Sequence, residues 1–316
     1  MTDVTANIVS AAPAGSTTRR GYWSGVARDG RKLGLWFVAP TLVLLLFIVI
    51  FPMGMQLYLS ATWWTPLDGT PWYLAFESFN GGENYLRLVT DPGLWSALWR
   101  TVLIMAVAVP VQFMLGLGLA FLFIDQFPGR KIFYSILLTP MMIVPAVVGM
   151  MFYLLFQGTG PINNTFGLPA SFSWLADVNR AMISVIIADV WQWTPLMFLI
   201  LLAGMLGVPQ DQLLAARLLG GSNWQNFRKI ILPRMKPVIA IALVLRSVEC
   251  FKIFDLIYIM TKGGPGVQTE TISLYLYKQT FADLDWSYVA AIGLTILLVL
   301  SLAAARGLAY NAKKRA

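Results

Sequence analysis

The sequence predicts an all-α integral membrane protein with six transmembrane helices. Three observations carry that expectation. Of the 316 residues, 58% are hydrophobic and only 12% charged, whereas soluble domains carry about 25% charged residues. Apolar runs of about 20 residues, the length that spans a bilayer as a helix, recur along the chain. Basic residues collect in alternate connections between these runs, the asymmetry expected between the two faces of a membrane. The net charge of +8 is therefore read as membrane topology, not as affinity for nucleic acid. The sequence has no histidine, which removes the usual neutral-pH proton shuttle and many metal sites. Its one cysteine, Cys250, lies in an apolar segment and leaves no intrachain disulfide.

Residues 1–32 are rich in Ala, Ser, Thr and Gly and carry Arg19, Arg20, Arg28, Arg31 and Lys32. They read as a flexible basic tail, not a cleaved signal, because no short apolar core with a small-residue cleavage site follows. The membrane domain is expected over 33–310, with a second basic tail at 311–316. Span one runs from about Leu33 to Leu57. A polar and aromatic loop then reaches Asp91, and its Trp63, Trp64 and Trp72 suit a membrane interface. Span two covers Leu94 to Ile124, and span three covers Ile132 to Phe156. Pro140 and Pro145 fall inside span three and should kink it, because each removes a backbone donor. Span four covers Arg180 to Leu206, span five Val238 to Met260 and span six Tyr288 to Tyr310. Both tails, the 125–131 turn and the 208–237 loop hold most of the Lys and Arg, which places them and both termini in the cytoplasm.

No soluble catalytic signature is present. There is no GxxxxGK[ST] phosphate loop, no HExxH and no metal-spaced Cys or His set, so no catalytic or metal-binding residue is assigned. The Gly263–Gly266 run reads as a turn after a helix. The informative polar residues lie inside spans four and five. Span four carries Asp189, Trp191, Gln192 and Trp193, and span five carries Arg246, Glu249, Lys252 and Asp255. Such groups are expensive in a bilayer and should face a bundle interior or a wet cavity. Asp189, Trp191, Gln192, Trp193, Glu249, Lys252 and Asp255 are the candidate lining of a polar-solute path, since flat apolar faces beside hydrogen-bonding groups suit sugars and polyols. Helix locking by the charges and ordinary packing of the tryptophans are the competing readings. Asp189 and Lys252 lie about 13 Å and about 12 Å from the outer surface at 1.5 Å per residue, and they are expected to pair between helices.

The 208–237 loop reads PQDQLLAARLLGGSNWQNFRKIILPRMKP from Pro209. It is a polar helix–turn–helix between two spans, hence a docking surface. Ala215-Ala216, Gly220, Phe227, Ile230, Leu232-Pro233 and Pro237 resemble the EAA loop of binding-protein-dependent ABC importer permeases. Gly82-Glu83-Asn84-Tyr85 with Asp91-Pro92, and Phe251 to Tyr258 continuing through Gly263-Gly264-Pro265-Gly266 and Thr269-Glu270-Thr271, are similar to the carbohydrate branch of that family. The resemblance runs from about residue 33 to the end. It departs at Leu214 and Leu219, where the family has acidic residues, and at Gly221, where it has Ala.

The resemblance implies an inner-membrane permease subunit importing a sugar or polyol, with the loop acting as a coupling helix. Asp211, Leu213, Leu214, Ala215, Ala216, Arg217, Leu218, Gly220 and Phe227 would then contact the motor. It also implies a second permease subunit, an ATPase dimer that binds ATP and Mg in place of this chain, an extracytoplasmic solute-binding protein and surrounding lipid. Ion-coupled secondary transport is the alternative, since Asp189, Glu249 and Asp255 are intramembrane carboxylates. The lack of an evident inverted repeat weighs against it.

Overall fold

The computed structural model describes residues 19–313, and the side chains of 19–35, 210, 303–304 and 307–313 are left aside. The described chain is helical with no strand, in the order α1 (Arg19–Ser60), α2 (Glu83–Thr90), α3 (Pro92–Leu122), α4 (Arg130–Met142), α5 (Pro145–Leu155), α6 (Pro161–Thr165), α7 (Val178–Leu206), α8 (Gln210–Leu218), α9 (Asn223–Asn226), α10 (Leu232–Arg234), α11 (Lys236–Phe251), α12 (Asp255–Met260), α13 (Ile272–Phe281) and α14 (Trp286–Lys313). Two 3-10 turns precede α2, and a π-helical turn, Phe227–Ile231, lies between α9 and α10.

Three of the expected spans are single helices long and apolar enough to cross a membrane: Trp36–Ser60, Pro92–Leu122 and Val178–Leu206. The third expected span is broken. Helices α4 and α5 meet at 96°, with Ile143 and Val144 in extended backbone before Pro145. A residue ahead of proline is driven out of the helical region, so the kink expected at Pro145 is a sharp bend. The sixth expected span is α14, whose apolar part is Trp286–Leu302.

Two expectations need correction. Helix α1 begins at Arg19, so 19–32 is helical where a flexible tail was expected; nothing between Arg19 and Pro40 terminates a helix, and its glycines only weaken it. Residues 1–18 lie outside the described residues, as do 314–316 of the expected C-terminal tail. Span five is not continuous either. Helix α11 ends at Phe251, and Lys252 and Ile253 close it with tightened bonds to the Glu249 and Cys250 carbonyls. The chain restarts as α12 at Asp255. The Ile253 carbonyl freed by this break accepts the Thr271 hydroxyl at 3.1 Å, so the acceptor is not left unpaired.

The core is built around α3 against α7. At Gly116 a Cβ would come within 2.9 Å of the Phe198 nitrogen, so only glycine admits this close backbone approach. Phe198, Met197, Leu201, Ile104 and Ala108 fill the contact and are essentially inaccessible. Helix α1 contrasts with this, since most of its apolar stretch is exposed and only Leu59 and Ser60 at its end are buried.

The outer ends are tied by polar side chains. Asn84 is buried and donates to the Ser60 and Thr62 carbonyls, both at 3.0 Å, which fixes α2 beneath the end of α1. Asp91 caps α3, its Oδ1 accepting from Gly93 at 2.8 Å and Leu94 at 3.3 Å. Its Oδ2 accepts the hydroxyls of Tyr275 at 2.5 Å and Tyr288 at 2.6 Å. One carboxylate thus joins α3, α13 and α14. Partial burial would raise its pKa, but the tyrosine hydroxyls and the capping N–H groups outweigh that and hold it below the usual carboxylate range. Asp91→Ala should destabilise the protein by about 2 kcal/mol or more. Because the folded pKa is depressed, the contribution is full above the ordinary value of about 3.9 and is lost as pH falls through the folded value. The melting-temperature gap between wild type and variant in detergent should therefore narrow in acid; a gap independent of pH would contradict this account.

Candidate functional site

Helix α7 brings Asp189 and Gln192 to its packed side, one turn apart. Asp189 is 2% exposed and Arg246 of α11 equally so. Arg246 Nη2 donates to Asp189 Oδ2 at 2.5 Å. Gln112 of α3 completes the arrangement. Its Nε2 donates to Asp189 Oδ2 at 2.9 Å and to the Asp189 carbonyl at 3.0 Å, and its Oε1 accepts from Arg246 Nε at 2.8 Å. The Trp193 ring lies 5.4 Å from the guanidinium carbon, within cation–π range. A buried charge is tolerable only when paired and hydrogen-bonded, and the triad provides both, binding α3, α7 and α11 together.

The expected Asp189–Lys252 pair is absent. Lys252 instead donates to Glu249 at 2.9 Å on the same stretch, and the two side chains are 60% and 45% exposed. Equal depth along two helices does not set the rotation of either. A three-residue step falls about 60° short of a full turn, so Lys252, two steps beyond Arg246, points away from α7. Asp255 no longer shares that helix, because the chain breaks between them, and it too is exposed.

The remaining candidates of span four have apolar or structural surroundings. Gln192 is buried, and its Nε2 donates to the Ile143 carbonyl at 2.9 Å, satisfying backbone freed by the bend between α4 and α5. Trp191 packs edge-on against Phe152 with centroids 5.5 Å apart. It borders a groove of about 670 Å³ lined by Val111, Leu115, Ile136, Pro140 and Thr194. The Thr194 hydroxyl is already bonded to the Val190 carbonyl at 2.6 Å, so this groove offers apolar walls and suits acyl chains better than a polar solute. Gln112 was missed from sequence. It is a lone amide in an otherwise apolar stretch of span two, and the cost argument that singled out Gln192 applies to it equally.

What remains accessible is the break itself. Glu249, Lys252 and Asp255 are all exposed along it, so this side of α11 and α12 presents charged side chains that nothing within the described chain covers.

The 208–237 loop is built by local signals. Helix α8 ends at Leu218 with Leu219 as its cap, after which Gly220 adopts φ +81°. Gly220 N–H bonds the Arg217 carbonyl at 3.0 Å and Gly221 N–H the Ala216 carbonyl at 2.9 Å, a Schellman closure. A Cβ at Gly221 would lie 2.8 Å from the Ala216 oxygen, which accounts for glycine there. Ser222 and Gln225 form a capping box that starts α9. Leu213 is half-buried and packs on the core, as does the buried Phe227. Leu214, Leu218 and Leu219 are exposed, the latter two by about nine-tenths. Asp211, Ala215, Arg217 and Gly220 are exposed and Ala216 half-buried.

Residues 91–314 match the family described as "Binding-protein-dependent transport system inner membrane component". The chain is 33% identical over 280 residues to the trehalose/maltose transport system permease protein MalF of Thermococcus litoralis, covering 85% of this chain and 90% of the relative. It is 35% identical over 270 residues to the trehalose transport system permease protein SugA of Mycobacterium tuberculosis, covering 84% of each. It is 31% identical over 282 residues to the lactose transport system permease protein LacF of Rhizobium radiobacter, covering 85% of this chain and 90% of the relative. Its fold is similar to a chain in the crystal structure of a bacterial ABC transporter involved in import of the acidic polysaccharide alginate, with TM-score 0.74 at 20% identity over 89% of this chain and 95% of that one.

Removing Arg246 leaves a buried carboxylate unpaired. Arg246→Ala should cost about 3–5 kcal/mol, and Asp189→Leu combined with Arg246→Met should recover most of that loss. Lys252→Ala should change stability by less than about 1 kcal/mol, because an exposed pair contributes little. Thermal melting of the purified protein checks all three; an additive loss in the double variant would contradict the assigned pairing.

Proposed function

The chain belongs to the family of binding-protein-dependent transport system inner membrane components, and from that premise we propose that it is one permease half of an ABC importer for a sugar or polyol. The observation that carries the substrate class is the set of relatives at 30–35% identity named for trehalose, maltose and lactose transport. The carbohydrate-branch motifs around Asn84 and through Phe251–Thr271 support it, and each has a structural role here: Asn84 ties α1 to α2, and Thr271 stabilises the break in span five.

In this reading six spans cross the membrane with both termini in the cytoplasm. The bent α4–α5 pair forms the third span and the broken α11–α12 pair the fifth. The solute path runs along the exposed side of the break, past Glu249, Lys252 and Asp255, against a second permease subunit. Asp189 and Gln192 act behind it as fasteners. A solute-binding protein delivers substrate at the outer face. ATP and Mg bind to two partner ATPase subunits, which seat the α8–α9 loop. Closure of the ATPase pair pushes that loop and switches the path between inward- and outward-facing states.

At the loop, exposed Leu214, Leu218 and Leu219 take the place of charged contacts and dock by apolar packing. Asp211 and Arg217 flank them, while half-buried Leu213 and buried Phe227 anchor the loop to the bundle. Of the three carboxylates an ion-coupled carrier could use, Asp189 is closed by Arg246 and Gln112, while Glu249 and Asp255 are exposed, so the two readings are separated by the energy source of uptake.

Uptake of labelled sugar by the assembled transporter should stop when the phosphate-loop lysine of the partner ATPase is replaced. Uptake that survives this and instead follows an ion gradient would sink the importer reading. Leu218→Asp should reduce uptake about tenfold, equivalent to about 1.4 kcal/mol of lost docking, without lowering the melting temperature. Unchanged uptake would refute apolar docking. Leu213→Asp should instead destabilise the fold, since its side chain packs inward.

A further inference from the structure

Beside the break in span five stands a row of aromatic rings, two of them within the Phe251–Tyr258 motif and two beyond it. Phe254 stacks on Tyr258 with centroids 5.4 Å apart and an interplanar angle of 17°. Tyr277 lies 5.1 Å from Phe254 and 5.3 Å from Tyr258. Phe281 lies 4.9 Å from Tyr277. Phe254 caps α12, Tyr258 lies within it and the other two belong to α13, so the row crosses between two elements.

The direction of the row follows from hydrogen bonds already described. Helix α13 starts beside the break, where Thr271 holds the Ile253 carbonyl. Three residues into it, Tyr275 meets Asp91 at the end of α3. The rings therefore lead from the middle of the bundle toward that end and finish at Phe281, which is 64% exposed. Phe254, Tyr258 and Tyr277 are half-buried, packed against the core on one side and open on the other. The Tyr258 and Tyr277 hydroxyls are neighbours. Exposed Asp255 follows Phe254 in the chain, and exposed Glu249 and Lys252 lie just before the break. A lipid-facing row has no use for these charges and hydroxyls, and a core cluster would be closed on all sides.

We infer that Phe254, Tyr258, Tyr277 and Phe281 form a stacking track that takes the apolar faces of sugar rings between the outer mouth and the break, while the two phenols and Lys252 bond their hydroxyls. Several similar weak contacts in series hold a solute without trapping it, which passage requires. The inference rests on the carbohydrate reading above and adds a binding site to it.

The test uses the complete transporter in proteoliposomes, with trehalose, maltose and lactose as probes and sugar moved per ATP hydrolysed as the readout. Tyr277→Leu and Phe281→Leu keep apolar bulk but lose the flat face. Each should lower that ratio about three- to tenfold, the value of one aromatic contact, and Phe281→Leu, at an exposed position, should do so with the melting temperature unchanged. Tyr277→Trp and Phe281→Trp should stay within about twofold of wild type, since a tryptophan preserves the stacking face. Leucine variants with an unchanged ratio overturn the track. An equal loss in the tryptophan variants also overturns it, because the role is then close packing. A wild-type complex that hydrolyses ATP but moves none of the three sugars overturns the carbohydrate reading and the track with it.

Discussion

Inside an apolar bundle a carboxylate and a guanidinium survive as ions only by meeting each other, and Asp189 and Arg246 do so with Gln112 filling the remaining donor and acceptor positions. The arrangement of α3, α7 and α11 depends on this contact. In lipid, helices gain little from burying apolar surface against one another, so close packing and polar bonds must fix their rotation. Gly116 permits the approach of α3 to α7, and the triad sets which side of α11 turns inward. That choice determines that Glu249 and Lys252, farther round the helix, turn outward.

The same constraint shapes the irregular backbone. A bilayer offers no water to a freed carbonyl, and each break in this chain carries its own donor. Gln192 supplies one to Ile143 at the bend between α4 and α5, and Thr271 supplies one to Ile253 at the break between α11 and α12. The helices can thus change direction with the Ile143 and Ile253 carbonyls both bonded. The second break opens a charged, aromatic-flanked side of the molecule that a continuous helix would not present.

Features encoded locally were legible in the sequence. Pro145 announced its bend, the 208–237 loop its helix–turn–helix, and the apolar runs most of the spans. Features decided by distant residues were not. Nothing within Val238–Met260 marks the break at Lys252, because it is stabilised by Thr271, 18 residues from Ile253. The partner of Asp189 was misjudged because depth is readable from sequence while rotation about a helix depends on packing against its neighbours. Trp191 was assigned to a polar path by its neighbours in sequence, yet it borders an apolar groove in space.

The central claim is that the exposed side of the broken fifth span, and not the buried side of α7, meets the aqueous path. The sole native thiol, Cys250, is 1% exposed and gives a quiet background for cysteine labelling in the assembled complex. A membrane-impermeant maleimide applied during turnover should modify Lys252→Cys and Asp255→Cys, with sugar slowing the reaction, and should leave Gln192→Cys unmodified. Modification of Gln192→Cys with Lys252→Cys and Asp255→Cys left unreactive would contradict the account.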